Sequence, residues 1–258
     1  MTYENRVVCF IDILGFSSMV SKTLNSDDTY NDEQISHIYE ALECIRDTLD
    51  IDEENQDTVV TQFSDSVVIS FCSDEESQVF NTLLDIQHVL IRLIYRGILC
   101  RGGVAIGAVV HNDKYLFGPA MIDAYTLESK AANYPRVILS EEIIKLAGQS
   151  KSQAHTEEEE MQYVMSLLQK DSDGMYFIDY IGKSAQQELD EPTLGYPIYL
   201  SEIANILATG INSKRPDIQV KYSWLKERYN EVLEPIRATL SGSEVSDYEQ
   251  SFLDLPSY

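Results

Sequence analysis

Positive charge is what this chain has least of. It carries 19 Lys and Arg against 43 Asp and Glu, a formal net charge of −24 over 258 residues. Such a surface repels polyphosphate backbones and anionic headgroups, so neither nucleic acid nor a membrane surface is an expected partner. Cysteine is sparse as well: Cys9, Cys44, Cys72 and Cys100 are widely spaced, with no C-x-x-C pair. Three fall in expected strands and Cys44 on a helix face, which reads as buried free thiols of a reducing compartment. Long apolar runs are missing too. The best candidate, residues 89–99, is interrupted by Arg92 and Arg96. Glu4 and Asp12 break any leader-like stretch near the start, so a soluble, cytosolic protein is expected.

What is present is enough apolar sequence, 44%, to bury one large domain or a domain with an appendage. A strand is expected over 6–13, then a glycine turn at Gly15 and a short helix over 16–24. Ile35, Ile38, Tyr39, Leu42, Ile45 and Leu49 recur at helical spacing and predict a helix over 32–50, with an acidic loop at 50–57 after it. Two short strands, 58–63 and 67–72, flank Ser64-Asp65-Ser66 as a hairpin. Ser73 and Glu76 fit a capping box for a helix running to about Arg96. Residues 99–110 form a long strand whose glycines, 102, 103 and 107, predict a close approach to its backbone. Gly118-Pro119 opens a helix to about Asn133, and a strand over 136–139 leads to a helix capped by Ser140.

This order gives an α+β, ferredoxin-like βααββαβ core with an antiparallel-leaning sheet. The core is assigned to residues 1–148. Residues 149–258 form an extension of one strand (175–181) and mainly helices (196–209 and 219–240), packed on the core or on a partner subunit. The four-Glu run at 157–160 reads as a solvated helix start, and the acidic tail from Ser241 as frayed.

Chemistry enters through two carboxylates. Asp12 sits inside the apolar strand Val-Val-Cys-Phe-Ile-Asp-Ile, where a lone charge is costly unless paired or metal-bound. Asp65 sits at the hairpin tip. Each has a plain alternative: Asp12 caps the next helix or pairs with an arginine, and Ser-Asp-Ser is ordinary turn chemistry. In a βαββ arrangement, however, both strand ends face one crevice. Two converging carboxylates without imidazole or thiolate suit hard oxygen coordination, hence Mg²⁺ or Mn²⁺, and such a site also takes a substrate phosphate.

The string Phe10-Ile-Asp12-Ile-x-Gly15-Phe16-Ser17, the hairpin Ser64-Asp65, Arg101-Gly-Gly-Val-Ala-Ile-Gly107, Phe117-Gly118 and Ser140-Glu141-Glu142 together resemble the class III nucleotidyl cyclase catalytic domain over about residues 5–145. The resemblance implies that Asp12 and Asp65 bind two divalent ions, Mn²⁺ or Mg²⁺, with the Ile13 carbonyl as a further ligand. It implies that backbone N–H groups of Leu14, Gly15, Phe16 and Ser17 hold the β- and γ-phosphates. Arg101 matches an arginine that contacts the triphosphate; its plain alternative is a surface or dimer salt bridge. The resemblance also implies a homodimer with active sites at the subunit interface.

Departures from the family pattern narrow the expectation. Where purine-using members carry a base-reading Lys and Asp, this chain has Thr61 and Tyr115. Where they place a transition-state Asn and Arg, it has Ile122 and Thr126; Arg136, Lys130 and Asp123 are candidate substitutes without an assigned role. A bulky Tyr115 beside a small Thr61 hydroxyl suits a pyrimidine. With Arg-Gly-Gly, Gly-Pro-Ala, Ala-Tyr-x-Leu-Glu and the helical extension, the chain resembles the Pycsar pyrimidine cyclases of bacterial anti-phage defence. The expected activity is conversion of UTP to 3′,5′-cyclic UMP and pyrophosphate as a defence signal. The alternatives are a CTP cyclase, an adenylate or guanylate cyclase, and an inactive cyclase fold that senses nucleotides.

Overall fold

The computed structural model describes residues 2–49, 58–189, 195–240 and 245–258. The expected acidic loop at 50–57 lies outside the described residues. The chain begins with strand β1 (Glu4–Ile13), short helix α1 (Phe16–Ser21) and helix α2 (Asp32–Thr48). A hairpin of β2 (Thr58–Phe63) and β3 (Ser66–Cys72) leads to α3 (Gln78–Ile94), β4 (Cys100–His111), β5 (Leu116–Phe117) and α4 (Pro119–Thr126). One π-helical turn (Leu127–Ala131) follows, then β6 (Val137–Leu139) and α5 (Glu141–Gln149). The rest is α6 (Glu157–Ser166), β7 (Leu168–Lys170), β8 (Tyr176–Ile178), α7 (Lys183–Glu188), α8 (Gly195–Gly210), α9 (Pro216–Leu240) and α10 (Asp247–Asp254).

One sheet runs β2-β3-β1-β4-β6-β8-β7, with β5 paired to β4. The first four strands are mutually antiparallel with β1 central, which is the split βαβ arrangement expected from the element order. β6 joins parallel to β4, and β8 and β7 continue the sheet antiparallel beyond it. The alternation of β1 sets both faces. Val7, Cys9, Ile11 and Ile13 enter the large core with α3, β3 and the helices α8 and α9. Val8 and Phe10 pack into a smaller cluster under Ala120 and Ala124 of α4. Burying each such aliphatic side chain contributes about 1.5–3 kcal/mol.

The close approach foreseen at the β4 glycines is borne out at Gly103. A Cβ there would lie 2.5 Å from the Leu127 Cβ and 2.7 Å from the Ala124 carbonyl oxygen, so α4 lies directly on the strand. Several local expectations are corrected. Ser73 caps nothing: α3 starts at Gln78, and Ser73 instead accepts from the Asn5 side chain at 2.8 Å, tying the end of β3 to the start of β1. The strand foreseen over 175–181 spans only Tyr176–Ile178, and its partner β7 has too short a run to signal itself. The Glu run starts α6 through a Thr156–Glu159 capping box, but Glu160 is buried against His155 rather than solvated. Residues 241–244 of the tail lie outside the described residues. Beyond them the chain is not frayed: α10 buries Phe252, and the Tyr258 hydroxyl donates to the Ala204 carbonyl at 2.6 Å. Among the described residues no helix is long and apolar enough to cross a membrane.

Candidate active site

The site forms where β1 ends. Sheet register sets Asp12 directly between Ser66 of β3 and Arg101 of β4. One residue on, the Ile13 N–H donates to the Asp65 carbonyl at 3.1 Å, so the hairpin tip is fastened beside the first carboxylate. The hairpin closes through Ser64, whose φ of 56° supplies the left-handed residue that a two-residue turn needs. The two carboxylates read from sequence are therefore brought together by main-chain bonds, not by side-chain chance.

Asp12 is half-buried. Its Oδ1 accepts from the Ser66 hydroxyl at 3.1 Å, and its Oδ2 lies 4.0 Å from Arg101 Nε. Burial first, and the Asp65 charge second, hold its pKa above the ordinary carboxylate range, against smaller opposing effects of Ser66 and Arg101. Arg101 faces a residue that carried no role in the sequence reading. Glu128, buried in the π-helical turn, has Oε1 2.5 Å from Arg101 Nε, although neither atom makes an aligned hydrogen bond. Burial raises the Glu128 pKa as well; Arg101 opposes this, and Asp12 and Asp65 add to it. Glu128 stands within the Ala-Tyr-x-Leu-Glu string, but no spacing rule ties it to Arg101. Only the packing of α4 on Gly103 brings it there.

The corner thus holds three carboxylates against one guanidinium, an excess of negative charge that suits a divalent cation. Among the described residues no group of three or more His, Cys, Asp or Glu is arranged to hold a metal. Glu128 stands as a partner of Arg101, and an ion held by Asp12 and Asp65 alone would need backbone oxygen, water or substrate to complete its ligands.

The turn after β1 is Leu14 to Ser17. The Leu14 N–H is already committed to the Leu99 carbonyl at 2.8 Å, which corrects its assignment as a phosphate donor. Gly15, at φ 80°, turns the chain into α1. Leu14, Gly15 and Ser17 line a cleft of about 520 Å³ whose other wall comes from α9. Lys22, Lys221 and the Arg215–Asp217 ion pair (2.8 Å) also line it, a small local excess of cations in an acidic chain.

Thr61 is half-buried on β2, and its hydroxyl lies 2.9 Å from His111 Nε2. Tyr115 is 53% exposed in the turn after His111. Ile122 is 64% exposed on α4 and Phe63 80% exposed on the hairpin, which gives this corner an apolar rim. Arg136, a candidate for transition-state support, is excluded. It is fully buried on the far side of β4 and bonded to Asp171 and Asp173. Lys130 and Asp123 are exposed.

No protein-family model and no curated protein sequence matches this chain. Among solved structures, similar ones include a bacterial light-regulated adenylyl cyclase (14% identity, TM-score 0.44, covering 72% of this chain and 95% of that one). The adenylyl cyclase CyaB from P. aeruginosa is another (14%, TM-score 0.45, 68% and 94%). A third is the guanylyl cyclase domain of the RhoGC fusion protein from the aquatic fungus Blastocladiella emersonii (16%, TM-score 0.45, 69% and 98%). At these identities and scores the likeness carries no inference about activity.

Proposed function

We propose that the chain is a class III-type nucleotidyl cyclase that converts a pyrimidine nucleoside triphosphate, UTP ahead of CTP, to its 3′,5′-cyclic monophosphate and pyrophosphate. The observation that carries this reading is the register at the end of β1: Asp12 opposite Arg101, with Asp65 fastened alongside through the Ile13 N–H. Asp12 and Asp65, with the Ile13 carbonyl, hold the divalent ions, Mn²⁺ or Mg²⁺. When bound, two such ions lower the pKa of the ribose 3′-hydroxyl and neutralise charge on the departing pyrophosphate.

The remaining work falls to the protein. The N–H groups of Gly15, Phe16 and Ser17 orient the β- and γ-phosphates, and Lys22 and Lys221 supply the positive charge that the surface otherwise lacks. Arg101, held in reserve against Glu128, turns to the triphosphate when it arrives. With Ile122 and Thr126 in place of an amide and a guanidinium, these cations carry the transition-state charge. Thr61 and Tyr115 bound the base pocket. The exposed Phe63, Ile122 and Tyr125 favour a homodimer that covers this corner and completes the site, with residues 1–148 as the catalytic core and the extension lending α9. We place the product as a second messenger of anti-phage defence in the cytosol.

The test is incubation of the purified protein with each of the four nucleoside triphosphates and Mn²⁺, resolving products by mass. Cyclic UMP as main product supports the reading, and cyclic CMP retains its chemistry while moving the base. Product from ATP or GTP alone overturns the pyrimidine assignment. Tight binding of all four without turnover makes the chain a nucleotide sensor.

A further inference from the structure

On the sheet face that carries Asp12, a buried chain of polar side chains runs from Arg6 through Ser70 and His111 to Thr61. Arg6 Nε donates to Ser70 Oγ at 3.0 Å, and Arg6 Nη2 to the Ser70 carbonyl at 2.9 Å. Ser70 Oγ lies 2.8 Å from His111 Nδ1, and His111 Nε2 lies 2.9 Å from Thr61 Oγ1. Arg6, Ser70 and His111 are all buried. β4 reaches this position by curling over the face, for its pairing with β1 has already ended at Val109 opposite Glu4.

The direction of each bond follows from what the groups can do. A guanidinium only donates, so the Ser70 oxygen accepts from Arg6. The Ser70 proton then has one acceptor among the described residues, His111 Nδ1; pointed elsewhere it is a buried donor without a partner. The ring is neutral: burial, and then the Arg6 charge, push its pKa down to about 4. A neutral imidazole with bare Nδ1 carries its proton on Nε2 and donates it to Thr61. The Thr61 oxygen is thereby an acceptor inward, and its own proton, with no acceptor among the described residues, is left to point outward.

We propose that the Arg6–Ser70–His111 chain fixes Thr61 as a hydrogen-bond donor toward the ligand, so that the pocket selects a pyrimidine with a carbonyl oxygen at that edge, uracil, over one with an amino group, cytosine. The proposal rests on the reading that Thr61 bounds the base pocket. His111 acts as a positioning residue: it touches no substrate but sets which way Thr61 faces.

Two measurements on the full chain test it. Long-range proton–nitrogen spectra of the histidines report the tautomer directly: His111 is expected as the Nε2–H form, neutral across the neutral pH range. The Nδ1–H form, or a protonated ring, overturns the proposal. Separately, the ratio of kcat/KM for UTP to that for CTP is measured for the wild type, Thr61→Val, His111→Phe and His111→Gln, with calorimetric affinities for the same two nucleotides. The wild type is expected to favour UTP by at least about tenfold, the value of one hydrogen bond. Thr61→Val and His111→Phe bring the ratio toward one, and His111→Gln, whose amide accepts from Ser70 and donates to Thr61, restores it. A wild type that prefers CTP, or a ratio unmoved in folded His111→Phe, sinks the relay while the cyclase reading stands. Selective uridine nucleotide binding without turnover supports the relay and sinks the cyclase. Failure to bind either pyrimidine nucleotide sinks both.

Discussion

Two arginine–carboxylate clusters flank β4, and they are built to opposite ends. Arg136 is fully enclosed. Its Nη1 is 2.5 Å from Asp171 and its Nη2 bonds Asp173, while Asp171 also accepts from Trp224 Nε1 at 2.6 Å and Asp173 from the Met175 N–H at 3.0 Å. The guanidinium lies over the Tyr134 ring, which itself stacks on Trp224. The guanidinium is bonded to the buried Asp171 and to the solvent-facing Asp173, and its donors have partners, apart from Nε. At the end of β1 the bonding is incomplete: Arg101 is one cation among Asp12, Asp65 and Glu128, its contact with the buried Glu128 is misaligned, and Asp12 and Arg101 are partly exposed. A buried charge pair costs desolvation that only complete pairing offsets. The fully bonded cluster is a structural joint between β6 and the extension. The incompletely bonded one keeps unfavourable charge that a ligand would relieve, which marks it as the candidate site.

The comparison can be broken most directly at Arg136. Removing it as Arg136→Met strands two carboxylates, one buried, and is expected to cost about 3–5 kcal/mol in urea unfolding. A loss under 1 kcal/mol would show that the joint is not structural. The reverse holds for Asp12→Asn with Asp65→Asn: no stability is lost, since the charge removed is uncompensated. What disappears is the gain from Mn²⁺, which for the wild type at a hundred times its Kd is about 2.7 kcal/mol by thermal unfolding. An equal gain in the double variant would relocate the metal site.

Smaller and sharper is the pH response. In the open cluster the folded state raises the pKa of Asp12 and Glu128, so between their ordinary and raised values it binds more protons than the unfolded chain. Stability from this cluster therefore falls as pH rises through that window. Asp173 has the opposite sign: the hydrogen bond from Arg136 lowers its pKa, and its contribution, present above its ordinary value, is lost as pH falls through the lowered one. Urea midpoints across acidic pH should show the first slope vanish in Asp12→Asn with Glu128→Gln while the second remains. Unchanged slopes in that variant would mean that the two clusters do not differ in kind.

Much of the site was legible because sheet chemistry is local. A carboxylate interrupting Val-Val-Cys-Phe-Ile and a Ser-Asp-Ser turn both announce themselves within a few residues. The parts that escaped join segments far apart in the chain. Glu128 reaches Arg101 only because Gly103 lets α4 lie on β4. Lys221 meets the Leu14 turn only because α9 lies across from it. The misplaced capping box has the same origin: Ser73 had a better partner in Asn5, 68 residues away, than in its own helix.

By itself, then, the sequence determined the α+β order, the strand carrying Asp12, the hairpin carrying Asp65 and the apolar alternation that makes one face of β1 core. Each follows from periodicity and turn chemistry, whose range is a few residues. Only the tertiary structure decided which charges are answered and which are left over. Arg136 and Arg101 look alike in the sequence, and burial with complete hydrogen bonding made one a joint while the other stands in the candidate site. Pairing is a property of three-dimensional distance, and no local pattern encodes it.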